Sequence, residues 1–109
     1  MTAQRRGSVR LRKLIEEATV DANDEYEQEA GFLNEFEERL RCPFRGLVVG
    51  EWVDVQKFDV GEGGRGLLAV CRRHGREYRV HITELEWMGQ PPEGAEWIEA
   101  YRLWLKGGG

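Results

Sequence analysis

The stretch VDANDEYEQEAGF, residues 20–32, holds five carboxylates (Asp21, Asp24, Glu25, Glu27 and Glu29) and no base. A second acidic pair, Glu37 and Glu38, stands just before Leu40. Carboxylates three and four apart on a helix repel one another by about 0.2–0.5 kcal/mol per pair. A surface that needed only solubility would interleave lysines. A hard divalent cation removes the repulsion, and calcium accepts about six to eight oxygens in tolerant geometry. Oxygen donors without His or Cys favour calcium or magnesium over zinc or copper. The competing reading is a solvated acidic face, and residue types alone leave both open.

The run is not an EF-hand loop. Asp21 and Asn23 match its first and third positions. Tyr26 then stands where that loop needs Gly, and Phe32 where it needs a bidentate Glu. Thiol chemistry is also poorly supported. Cys71-x-x-His74 is one metal-like pair, but Cys42 and His81 are remote in sequence and no second CxxC accompanies it. Both cysteines read as reduced thiols partly in the core.

The elements that must hold these residues follow from periodicity. Ser8 to Thr19 has Val9, Leu11, Leu14, Ile15 and Ala18 at three- and four-residue spacings, a short helix with Ser8 as its cap. Asp21 reads as the cap of a longer helix ending near Leu40, with its acidic first turn at the positive end of the helix dipole. At about 100° per residue, Ala22, Tyr26, Leu33, Phe36 and Leu40 form its core stripe. Asp21, Asp24, Glu25, Gln28 and Glu35 make a band beside that stripe. Glu27 and Glu38 lie farther round, and Glu37 lies at the stripe's other edge. Gly31, inside the pattern, marks either a close helix contact or a break.

Cys42-Pro43-Phe44 ends the helix, and the period changes. Val49, Trp52, Val53, Val55 and Phe58 read as β structure, the glycine-rich 61–66 as a turn, and 67–73 with 77–82 as strands joined at His74-Gly75. Short strands between glycine turns over 44–86 suggest a small SH3-like antiparallel barrel. A final helix over 94–106 aligns Trp97, Tyr101 and Trp104 on one face. That face is either core packing or, if exposed, a surface for self-association or a protein partner. The fold class is therefore α+β: N-terminal helices on a small barrel, plus a C-terminal helix, in one domain spanning 1–109.

Composition narrows the function classes. The chain has 109 residues, 40% hydrophobic and 33% charged, with a net charge of −4. Residues 1–20 are net positive, whereas 21–41 carry eight acids against two bases. This opposes a general nucleic-acid binder, which presents a basic stripe. The hairpin CRRHGREYR, 71–79, could still be a local patch through Arg72, Arg73, Arg76 and Arg79. It reads more simply as a solvated hairpin paired to the acidic helix. No apolar run reaches the roughly 18 residues that a membrane span needs, and no apolar segment follows the N-terminal bases, so the expected compartment is the cytoplasm. No nucleophile motif, phosphate loop or dinucleotide fingerprint is present, and no enzyme is expected.

The sequence also resembles a known family. V-D-A-x-D-E-x-E at Val20–Glu27, Gly31, Glu37-Glu38, Pro43-Phe44 and V-G-E-x-V-x-V at Val49–Val55 are similar, in order, to the small cyanobacterial calcium-binding (CcbP-like) family. The resemblance runs from about Ala18 to Glu86 and leaves the C-terminal helix outside. It implies helices packed on an SH3-like barrel, and calcium (Ca2+) held outside any EF-hand. It further implies a buffering or signalling role. Carried over by position, the metal ligands would be Asp21, Asp24, Glu25, Glu27, Glu37 and Glu38.

Overall fold

The computed structural model describes residues 2–64 and 66–107, with side-chain surroundings given from Val9 onward. Helix α1 spans Thr2–Ala18 and α2 spans Glu25–Arg39. Strands β1 (Phe44–Val48), β2 (Glu51–Val60), β3 (Leu67–Arg73) and β4 (Arg76–His81) follow, then a 3-10 turn at Ile82–Glu84 and helix α3 at Ala95–Leu105.

Two helix boundaries differ from the sequence expectation. α1 begins well before Ser8, which is an interior residue and not a cap. α2 begins after Asp24, whose carboxylate accepts the Glu27 N–H at 2.8 Å. Asp21 is outside the helix altogether, in a left-handed turn with φ 63°. Both aspartates suit an N-cap, and the left-handed turn between them decides which one serves. The buried stripe also differs from the expected one. Phe32 and Phe36 are fully buried and Leu40 nearly so, while Tyr26 is 76% exposed. Gly31 makes a close contact rather than a break, because a Cβ there would run into the Ala18 carbonyl. The end of α1 thus lies directly on α2.

The four strands form one antiparallel sheet in sequence order. Val49-Gly50 (φ 51° and 75°) and His74-Gly75 (φ 52° and 75°) turn the first and last hairpins. Positive φ at both central residues gives the twist that two-residue hairpins favour. A bulge between Val55 and Lys57 adds one residue to β2, so the core positions run Val53, Val55, Phe58 instead of alternating strictly. The sheet is open: β1 and β4 do not pair, and the expected closed barrel is not formed. Instead the chain after β4 returns past β1, where Leu47 and Glu86 exchange backbone bonds of 2.7 and 2.9 Å.

Helix α3 covers the core. Trp97, Ile98, Ala100 and Tyr101 are buried together with Ile15, Phe32, Phe36, Val55, Phe58, Leu67, Ile82 and Leu85. Each large side chain so buried contributes about 1.5–3 kcal/mol. Tyr101 meets Phe32 and Phe36 edge-on, with ring centroids 5.4 and 5.7 Å apart. Trp97 is only 4% exposed and Trp104 half-buried. Trp97 and Tyr101 are therefore interior packing, and of the three aromatics on this face Trp104 alone keeps part of its surface open. Arg102 fastens the helix outward. Its guanidinium donates to the Thr83 and Leu85 carbonyls, pairs with Glu99 and stacks over Trp87.

Candidate metal centre

The structure places the six sequence-derived ligands at two ends of α2. Asp21, Asp24, Glu25 and Glu27 gather at its N-terminus and are exposed. Asp24 is engaged as the cap, and Glu27 accepts the Asn23 N–H at 3.2 Å. Glu37 and Glu38 are exposed in the last helical turns. From Asp24 to Glu37 is about 20 Å along the axis, at roughly 1.5 Å per residue. Calcium–oxygen bonds are about 2.3–2.6 Å, so the two groups cannot share an ion. Among the described residues, no three His, Cys, Asp or Glu side chains converge as a preformed metal cage.

The surroundings of the two groups differ in charge. Glu37 and Glu38 line a groove of 460 Å³ together with Arg39, Arg41, Lys57 and Glu93. Three cations there already oppose a metal ion. Two of the N-terminal group, Asp21 and Glu27, border a depression of 390 Å³ between α1 and α2, lined also by Glu17, Glu35, Asn34 and Tyr26 and, among the described residues, by no base. Glu35 also accepts Arg39 at 3.1 Å, one turn farther along. Glu17, Asp21 and Glu27, which have no cation beside them among the described residues of this depression, are hard oxygen donors that fit calcium by ligand chemistry. Glu17 was not identifiable as a neighbour from sequence, because it belongs to α1. The signal that could have found it is Gly31, whose missing side chain lets the last turn of α1 approach α2.

Glu29, in the same acidic run, serves a different purpose. Tyr101 donates its hydroxyl to Glu29 Oε2 at 2.8 Å and accepts the buried Leu67 N–H at 3.0 Å. Burial, and then the Glu29 carboxylate, push the Tyr101 phenol well above its ordinary value, so it remains a donor. One residue earlier, Gln28 accepts the Trp104 indole N–H at 3.0 Å. These two bonds fix α2 on α3 and so orient its acidic side.

The remaining candidates resolve simply. Cys71 is buried and its thiol pushed up to about 11 by that burial. Cys42 is half-buried and raised for the same reason. His74 is at the exposed hairpin tip, so Cys71 and His74 form no zinc pair. The hairpin arginines pair within the sheet, Arg79 with Asp59 at 3.1 Å and Arg73 with Glu51, and not with the acidic helix as the sequence suggested. Among the described residues, no helix is long and apolar enough to cross a membrane.

No family model and no curated protein matches the chain. Among solved structures, the crystal structure of Anabaena CcbP is similar, with a TM-score of 0.68 and 20% identity over 82% of each chain. The two chains share a fold. The CcbP fold is thus what this sequence encodes, α+β with helices against an antiparallel sheet. Within it, the acidic run at Val20–Glu27 supplies the α1–α2 junction, the chain between two helices in direct contact.

Proposed function

We propose that the protein binds calcium through carboxylates at the α1–α2 junction, outside any EF-hand, and acts as a cytosolic calcium buffer or signalling component without catalysis. The observation that carries this reading is the depression lined by Glu17, Asp21, Glu27 and Glu35 with, among the described residues, no base on its wall. The CcbP-like motif at Val20–Glu27 and the shared fold support it. Asp24 and Glu25, in the same turn, are the next oxygens available. Glu37 and Glu38, carried over by the same resemblance, stand among three cations and play a lesser part.

Calorimetric titration of chelator-stripped protein with calcium tests this. Saturable binding is expected, lost in Asp21→Asn/Glu27→Gln and kept in Glu37→Gln/Glu38→Gln. The melting temperature should rise with calcium, because the ion binds the folded state preferentially. A flat titration at millimolar calcium removes the reading. It leaves a metal-free protein-interaction module as its replacement.

A further inference from the structure

The two edges of the sheet are treated differently. Backbone groups of a two-residue hairpin alternate between facing the partner strand and facing outward, starting from the closing pair. At the Val49-Gly50 turn this rule points the Leu47 N–H and C=O outward, and Glu86 takes both. At the His74-Gly75 turn it points those of Glu77, Arg79 and His81 outward. His81 N–H is taken by the Glu84 carboxylate at 3.1 Å, which agrees with the alternation. Arg76 to Arg79 are exposed, β4 is the last strand of the sheet, and no described element pairs with that edge.

An open edge is normally blunted by charge. Here the charges are self-complementary. We propose that β4 pairs with β4 of a second copy of this chain, antiparallel about a two-fold axis at Tyr78. Three registers keep the outward groups of residues 77 and 79 in phase. Centring on residue 77 sets Glu77 against its own copy, and centring on residue 79 sets Arg79 against its own copy. Like charges directly opposite destabilise a ladder. Only the register centred on Tyr78 sets each Glu77 opposite an Arg79. Those two pairs are also the ones whose N–H and C=O groups face outward, so they exchange the backbone bonds.

The rest of the strand agrees with this register. Tyr78, 46% exposed in the single chain, meets its own copy across the axis at a non-hydrogen-bonded position, where side chains come closest. Arg76 falls opposite Val80, so no like-charged pair arises. Arg79, held on its own sheet by Asp59, presents the rest of its fork to the incoming Glu77. The contact is isologous and closed, as most homodimers are, and joins two four-stranded sheets into one. A strand edge this short makes a weak dimer, with dissociation in the upper micromolar range. The inference does not depend on calcium binding.

Sedimentation equilibrium from micromolar to millimolar protein tests it, beside hydrogen exchange of individual amides. The wild type should show a monomer–dimer equilibrium, with the Glu77 and Arg79 amides exchanging more slowly as concentration rises. Glu77→Arg or Arg79→Glu alone should weaken association about tenfold. The double variant Glu77→Arg/Arg79→Glu should restore it, since the opposite pairing is recreated. A wild type that stays monomeric at millimolar concentration overturns the proposal. So does association that leaves the exchange of the Glu77 and Arg79 amides unchanged as concentration rises.

Discussion

Glu27 and Glu29 are two residues apart on α2 and are put to opposite uses. Glu29 points inward, where Tyr101 donates to it and ties it through one hydroxyl to the Leu67 N–H of β3. Glu27 lies in water beside Asp21 and Asn34, its one bond to Asn23 N–H local to the helix start. The inward carboxylate is part of the scaffold, whereas the outward ones keep most of their oxygen valence open. A run of acids in a sequence therefore mixes two roles, and the helix phase separates them.

The largest test of the comparison acts on the scaffold side. Phe36→Ala should lower stability by about 3–5 kcal/mol in denaturant unfolding, because the ring is fully buried between Phe58 and Tyr101. A loss below 1 kcal/mol would mean that α2 is not seated as described. Tyr101→Phe comes next. It keeps the ring but leaves the buried Leu67 N–H without an acceptor, a loss of about 1–3 kcal/mol. Glu29→Gln preserves an acceptor oxygen for the hydroxyl and should cost distinctly less. Equal losses would show that the charge of Glu29, and not its geometry, matters. The smallest effect is at the boundary between the two sides. Asp24→Ala removes the cap bond to Glu27 N–H and should cost about 0.5–2 kcal/mol while leaving the calcium isotherm saturable. Complete loss of binding would make Asp24 a ligand first and a cap second.

Much of the scaffold was legible because it is local. His74-Gly75 marks a two-residue hairpin on composition alone, and Trp97, Ile98 and Tyr101 mark α3 by spacing. The features that escaped depend on contacts distant in sequence or on one backbone angle. Asp21 and Asp24 are equivalent as caps until the φ of Asp21 is known, and Tyr26, at the edge of the expected stripe in the first helical turn, has nothing packed over it. The open sheet escaped because periodicity specifies strands and not whether the first and last of them meet. The carboxylates of the junction were legible as a list. Their division into two groups required the helix axis, and the addition of Glu17 required the Gly31 contact.

The Arg102 guanidinium sets when the sheet is secured during synthesis. It grips the Thr83 and Leu85 carbonyls, immediately before the Glu86 bridge that covers the β1 edge. A nascent chain that has emerged only as far as β4 has its meander of neighbouring hairpins, which need little loop closure to form. It lacks both the bridge and the clamp, and its apolar inner face is bare of Trp97, Ile98 and Tyr101. Unpaired strand edges beside exposed apolar surface are the condition under which growing chains associate wrongly. The vulnerable interval on the ribosome lasts until residue 102 is free to reach back, which places the safeguard of the sheet in a helix made after all four of its strands.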